Sequence, residues 1–174
     1  MSDPTTEHRR TAAGQTVRFA VLTISDTRTI ETDRGGAMIE DLLREAGHKP
    51  AGRDLVSDAP ARIAGRLRDL LDEPAIDMVV TTGGTGIGPR DSTIEVVERL
   101  LSRKLDGFGE LFRMLSFEKI GPAAMLSRAT GGLAGSKLVF ALPGSPDAVE
   151  LALQRLILPE LAHLISECRG RPNP

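Results

Sequence analysis

Three short stretches of this sequence hold residue types suited to binding anions and metal ions. Gly83-Gly84-Thr85-Gly86-Ile87-Gly88-Pro89-Arg90 places four glycines directly ahead of Asp91-Ser92-Thr93. Glycines without Cβ atoms expose backbone N–H groups, and a following helix adds its positive end, so the stretch can cradle an anion. It is not a Walker A loop, since no Gly-Lys-Ser/Thr follows. Nor is it a dinucleotide fingerprint, since Pro89 stands where the third glycine belongs. The plain alternative is a tight turn from strand to helix with no ligand. Ser25-Asp26-Thr27 and Pro143-Gly144-Ser145-Pro146 are the other two stretches. Asp91 either complements the dipole of the helix behind it or holds Mg²⁺ beside phosphates. Asp58 either caps a helix or shares that role. With Asp26, these carboxylates beside a glycine turn suggest Mg²⁺ and phosphate together. Arg90 and Arg128 are suited to balancing phosphate charge, whereas Arg103 and Lys104 read as solvated helix faces.

The elements that must position these loops follow from hydrophobic pattern. VRFAVLTI (17–24), IDMVVTT (76–82) and KLVFAL (137–142) are continuous apolar runs, the mark of strands buried on both faces. A further strand is expected near 53–56. Helices are predicted over 34–46, with Gly47 past its end, and over 61–71, capped by Ser57 or Asp58 with Pro60 in the first turn. Ser92-Thr93-Ile94-Glu95 reads as a capping box for a helix to about 101. Residues 107–126 read as helical in two pieces broken at Gly121-Pro122, followed by a hairpin-like segment around 129–133. A last helix starts at Ser145-Pro146 and runs toward 167, with a kink expected at Pro159.

Buried strands alternating with amphipathic helices predict an α/β fold with a mainly parallel sheet. Ligands in such sheets bind beyond the carboxyl ends of the strands. All three special loops leave strand ends, so parallel strands would bring them to one edge. Residues 1–15 read as a disordered tail, 16–170 as a single domain and 171–174 as a C-terminal tail. Phe108, Leu111, Phe112 and Leu115 form an i, i+3, i+4, i+7 stripe, either core or a subunit contact.

Composition narrows the function. The 174 residues carry a net charge of −2, which gives no footprint for nucleic acid. Aromatic residues make up 3%, all of them Phe, which argues against a base-stacking surface. One cysteine, Cys168, excludes an internal disulfide framework and a multi-cysteine zinc site. No stretch approaches the roughly 20 apolar residues of a membrane span. The expected location is cytoplasmic.

Five segments together resemble the MoaB/MogA family of molybdenum cofactor biosynthesis proteins: VLTISDTR, DRGGAMIEDLLREAGH, VVTTGGTGIGPRDST, GFGELFRMLSFEKIGPAAMLSRATGG and VFALPGSPDAV. The fourth is more similar to the MoaB branch. The resemblance implies a three-layer α/β/α domain that assembles as a homo-oligomer, a trimer or, in the MoaB branch, a hexamer. It implies binding of molybdopterin and, in active members, its adenylylation: ATP and molybdopterin give adenylyl-molybdopterin and pyrophosphate, with Mg²⁺. Carried over by motif, Asp91 and Asp58 are the acidic, metal-holding and catalytic residues. Gly83, Gly84, Thr85 and Gly86 line the nucleotide and phosphate site, with Arg90 and Thr93 from the same element. Ser25 and Asp26 match the Ser-Asp-Thr element, Pro143, Gly144, Ser145 and Pro146 the Pro-Gly-x-Pro loop. Ser127 and Arg128 match an element near the pterin in relatives. Where the family often has Pro-Asp-Glu or Pro-Asp-Asp, this chain has Ser57-Asp58-Ala59. The alternative function is a non-catalytic molybdopterin carrier or assembly protein of the same pathway.

Overall fold

The computed structural model describes residues 15–169. The tails expected over 1–15 and 171–174 fall outside that range, apart from Gln15. Six strands form one sheet in the order β2-β1-β3-β6-β5-β4. They are β1 (Arg18–Ile24), β2 (Lys49–Val56), β3 (Met78–Thr82), β4 (Arg103–Lys104), β5 (Thr130–Ala134) and β6 (Lys137–Leu142). β2, β1, β3 and β6 run parallel, while β5 is antiparallel to both β6 and β4. The helices are α1 (Arg34–Glu45), α2 (Pro60–Asp72), α3 (Thr93–Leu100), α4 (Asp106–Ile120), α5 (Pro146–Ala152) and α6 (Leu158–Cys168).

Alternate residues of the strands feed two apolar layers. Phe19, Val21, Met78, Val80, Leu138 and Phe140 pack under α1, α4, α5 and α6. Ala20, Leu22, Ile24, Val79, Val139 and Ala141 pack under α2 and α3. This two-sided burial is why the central strands read as unbroken apolar runs. Phe108, Phe112 and Leu115 belong to the first layer, with Phe108 edge-on to Phe140 at 4.9 Å between ring centroids. Leu111 of the same stripe is exposed.

Several local expectations need correction. β2 begins at Lys49, not near 53, because its edge position leaves most of its residues only partly buried and erases the apolar pattern; a bulge opposite Phe19 and Ala20 takes up the extra residue. Neither Ser57 nor Asp58 caps α2; Ala59 is its N-cap with no side-chain bond, and Pro60 sets the first turn. The capping box at Ser92 does not form: the Ser92 Oγ is buried without a partner, and Glu95 turns to Arg128. Arg103 and Lys104 form the short edge strand β4 instead of a helix face. The break before Pro159 is a π-helical turn at Leu153–Ile157, in which the Leu158 N–H reaches back to the Leu153 carbonyl. Pro159 has no N–H and its ring crowds the preceding turn, and the wider turn relieves both. The two-piece reading of 107–126 matches α4 followed by a 3₁₀ turn at Gly121–Leu126.

The amino-terminal edge of the parallel strands is stitched by Asp77. Its carboxylate accepts from the Arg18 N–H at 2.9 Å and from Arg169 at 2.8 Å. Its backbone donates to the Arg18 carbonyl at 2.8 Å and accepts from the Leu138 N–H at 3.0 Å.

Candidate functional site

The carboxyl ends of β1, β2, β3 and β6 release their loops at the opposite edge. Because β5 runs the other way, it starts at that edge, and Arg128 just ahead of it arrives there too. Beyond β1, the Ser25 Oγ accepts from the N–H groups of Thr27 and Arg28, both at 3.2 Å, which curls the chain outward. Arg28 then donates through both terminal nitrogens to the Gly144 carbonyl, each at 3.2 Å, tying the first loop to the loop after β6. The Thr82 hydroxyl holds that last loop from β3 by donating to the Pro143 carbonyl at 2.9 Å.

Behind the first loop lies Asp33, whose side chain is fully buried. It caps α1 by accepting from the Gly36 N–H at 3.0 Å. It also accepts from the Thr23 hydroxyl at 2.6 Å and from Arg53 at 3.2 Å. A Cβ on Gly36 would lie 2.1 Å from the Asp33 carboxylate and 2.5 Å from the Thr23 hydroxyl, so only glycine fits.

The glycine loop is shaped by equally close contacts. Gly83 has φ of 96°, and a Cβ there would sit 2.3 Å from the Ile24 carbonyl. Gly84 has φ of 62°, and its Cβ would sit 2.5 Å from the Thr93 hydroxyl. Bonds from the Gly83 N–H to Leu142 and from the Thr93 N–H to Gly84 fix both ends of the turn. Asp91 accepts from the Gly88 N–H at 2.9 Å and closes the loop on itself. Among the described residues, no acceptor takes the N–H groups of Gly84, Thr85 or Gly86.

These loops enclose a polar cleft of about 370 Å³. Ser25, Asp26, Asp58, Gly83, Gly84, Thr85, Gly86, Arg90, Asp91 and Gly144 all line it. Asp26 is its crosspiece: one oxygen accepts from the Asp58 N–H at 3.1 Å and the other pairs with Arg90 at 3.2 Å. Burial, reinforced by the negative charges of Asp26 and Asp91 and opposed by Arg90, raises the Asp58 carboxyl above the ordinary aspartate value. The other residues named from the sequence lie outside this lining. Thr93 is fully buried beneath Gly84, with its hydroxyl unpartnered. Pro143 stands beside Gly144 as a backbone acceptor. Ser145 caps α5 by accepting from the Ala148 N–H, and Pro146 is its first residue. Ser127 ends the 3₁₀ turn, and its N–H donates to Ala124.

Arg128 lines a second cavity, of about 310 Å³, between α3 and α4. It donates to the Gly86 carbonyl at 2.8 Å and pairs with Glu95, so it joins this cavity to the glycine loop. Burial raises the Glu95 carboxyl, but the Arg128 bond and charge outweigh it and hold the group below the ordinary glutamate value. Arg113 and Thr130 share the cavity. Sequence reasoning missed Arg28 and Asp33. Asp33 carries a faint signal, a carboxylate immediately ahead of a helix with glycine three residues on.

The hard oxygen donors of Asp26, Asp58 and Asp91 suit Mg²⁺. Among the described residues, no group of three His, Cys, Asp or Glu side chains is close enough to hold an ion unaided. Mg²⁺ in general binds one or two protein carboxylates and completes its shell with water and substrate phosphate. No helix among the described residues is long and apolar enough to cross a membrane.

Residues 20–163 match the family described as a probable molybdopterin binding domain. Molybdenum cofactor biosynthesis protein B of Bacillus cereus is 50% identical over 163 residues, 93% of this chain and 96% of that one. A crystal structure of a molybdenum cofactor biosynthesis protein B superimposes with a TM-score of 0.88 at 50% identity, covering 90% of this chain and 98% of that one. The tungsten cofactor synthesizing protein MoaB from Pyrococcus furiosus gives 0.80 at 35% identity, covering 90% and 99%.

Proposed function

This chain belongs to the molybdopterin-binding family of molybdenum cofactor biosynthesis, and from that premise we propose that it binds molybdopterin and adenylylates it with ATP and Mg²⁺. The observation that carries the reading is the cleft itself: Gly84, Thr85 and Gly86, whose backbone N–H groups have no acceptor among the described residues, line it together with Asp26, Asp58 and Asp91. A phosphate chain needs donors on one side and metal-holding oxygens on the other, and this cleft supplies both.

In the proposed reaction the terminal phosphate of molybdopterin attacks the α-phosphorus of ATP. One P–O bond forms there as the bond to the β-phosphate oxygen breaks, and pyrophosphate leaves. The nucleophile is already anionic at neutral pH, so no Ser–His or Cys–His pair is required. The N–H groups of Gly84, Thr85 and Gly86 hold phosphate oxygens, and Arg90 offsets their charge. Asp58 and Asp91 would hold Mg²⁺, which supplies neutralisation of charge on the phosphates. Arg128, bonded to Gly86 and lining the neighbouring cavity, is positioned to contact the second substrate while keeping the loop in shape. The assembly is a homo-oligomer.

The test is pyrophosphate release from ATP by the purified protein, with and without molybdopterin and Mg²⁺. Release only when all are present is expected, falling at least 100-fold in Asp91→Ala at an almost unchanged melting temperature. Molybdopterin binding by calorimetry without turnover at any ATP concentration would instead make the chain a carrier. Full activity in Asp91→Ala would remove that residue from the metal role.

A further inference from the structure

Four arginines serve the polar cleft and the loops around it. Three of them have a carboxylate within hydrogen-bond reach. Arg53 pairs with Asp33 at 3.2 Å and with Glu40 at 3.3 Å, Arg90 pairs with Asp26 at 3.2 Å, and Arg128 pairs with Glu95. Arg28 is the exception. Both of its hydrogen bonds end on the neutral carbonyl of Gly144. Among the described residues the only carboxylate within 4 Å of it is Asp33, at 3.9 Å. That carboxylate is already taken by the Thr23 hydroxyl, the Gly36 N–H and Arg53. The Arg28 side chain is 35% exposed, against 77% for Arg90, so water compensates it far less. A half-buried cation with no hydrogen-bonded counter-ion bears a desolvation cost that a bound anion would offset.

Arg28 lines the same cleft as Gly83–Gly86. A guanidinium carries N–H donors on all three nitrogens and accepts nothing. The two bonds to Gly144 come from the terminal nitrogens, and Nε makes no bond among the described residues. The edge formed by Nε and its neighbouring terminal nitrogen is therefore open. The fork is also fixed in place. The Gly144 carbonyl that it grips is itself packed tightly: a Cβ on Gly35 would lie 3.3 Å from that oxygen, and a Cβ on Gly144 would lie 3.4 Å from the Gly83 Cα and 3.6 Å from Arg28. Asp91 packs against the other end of the glycine loop, where Cβ atoms on Gly86 and Gly88 would lie 2.6 Å and 2.9 Å from its carboxylate. The loop thus has a fixed cation beside its start and a carboxylate beside its end, with the unclaimed N–H groups of Gly84, Thr85 and Gly86 between them.

We propose that Arg28 is a phosphate-binding residue of the cleft, taking the phosphate that lies at the Gly83 end of the loop, away from Asp91. This assignment rests on the nucleotide reading of the cleft and adds a second cation to it beside Arg90. A planar fork matches two oxygens of one phosphate, and charge assistance strengthens both bonds. Because Gly144 already holds the guanidinium, binding spends little side-chain entropy on Arg28. One side chain thereby does two things: it ties the first loop to the loop after β6, and it presents charge where those loops meet.

Calorimetric titration of the full chain tests this, with inorganic tripolyphosphate and ATP as probes in the presence of Mg²⁺ and circular dichroism melts to confirm folding. Arg28→Gln and Arg28→Lys both lose the two-pronged hold on Gly144, but only the lysine keeps the charge. Arg28→Gln is expected to weaken both probes by at least about tenfold, and Arg28→Lys by about threefold. Equal losses in the two variants would make Arg28 a brace of the loops alone and overturn the phosphate contact. Unchanged affinity in Arg28→Gln overturns it as well. A loss seen with ATP but not with tripolyphosphate would move the contact to the nucleoside, against the proposal. A wild type that binds neither probe overturns the nucleotide reading of the cleft, and the role of Arg28 with it.

Discussion

Replacing Asp33 by alanine tests whether the first loop is held from behind. The carboxylate is fully buried and serves three donors: the Thr23 hydroxyl, the Gly36 N–H and the Arg53 guanidinium. Its removal leaves a buried hydroxyl and a helix N-terminus without their acceptor, while Arg53 keeps Glu40 at 3.3 Å and the Ile30 carbonyl at 3.2 Å. Each orphaned neutral donor costs about 1–3 kcal/mol, and Arg53, still paired with Glu40, adds less than an uncompensated buried charge would. These overlap, since one side chain serves all three, so the expected loss is about 3–5 kcal/mol, or roughly 10 °C in melting temperature for a chain of this size. Asp33→Asn keeps the shape and one acceptor oxygen but loses the charge beside Arg53, and should cost about half as much. Urea unfolding followed by far-ultraviolet circular dichroism measures both, because the chain has no Trp or Tyr to report by fluorescence. A Thr23→Val change in the Asp33→Ala background should add less than it does alone, since the two groups share a 2.6 Å bond. A loss under about 1 kcal/mol in Asp33→Ala would refute the reasoning, because it would mean that water or a rearranged loop satisfies all three donors.

Two further outcomes follow from the site. Gly84 and Gly135 share φ of 62°, but only at Gly84 does a Cβ meet a close neighbour. Gly135→Ala should therefore cost about 1–2 kcal/mol from conformation alone, whereas Gly84→Ala should cost more and also weaken ATP binding at least tenfold in a calorimetric titration. Equal effects would mean that the Thr93 contact is unimportant. Asp58 should titrate above the ordinary aspartate value of 3.8 in the metal-free protein, as carboxyl NMR shifts would record. Since its folded value is raised, its contribution to stability is present below the unfolded value and is lost as pH rises through the folded one. Titration at or below 3.8 would show that burial and the charges of Asp26 and Asp91 do not act on it as described.

What the sequence disclosed depended on whether the cause was local or distant. The runs 17–24, 76–82 and 137–142 were legible because both faces of each strand are buried, so every residue is constrained alike. The gathering of their loops followed from parallel pairing alone. β2 and β4 were obscured because edge strands carry no such pattern. The Ser92 box was misleading because Arg128, 33 residues from Glu95, takes the side chain the box requires. Arg28 and Asp33 act through partners at Gly144 and Arg53, so their roles exist only once the sheet has formed. Thr93 stands in the glycine motif yet lies under the loop, where it limits the room at Gly84.

The Asp77 bonds give the sheet two unlike rims. At the blind rim, side chains are stitched to backbone across β1, β3 and β6, and the β5–β6 turn ends at Gly135 with open space around it. At the working rim, backbone donors are left without acceptors and carboxylates crowd together. Damage at the blind rim is therefore felt as lost stability with ligand affinity intact, while damage at the working rim is felt first in affinity. Labels, tethers and inserted sequence belong at Gly135-Ser136, a full strand length from the chemistry.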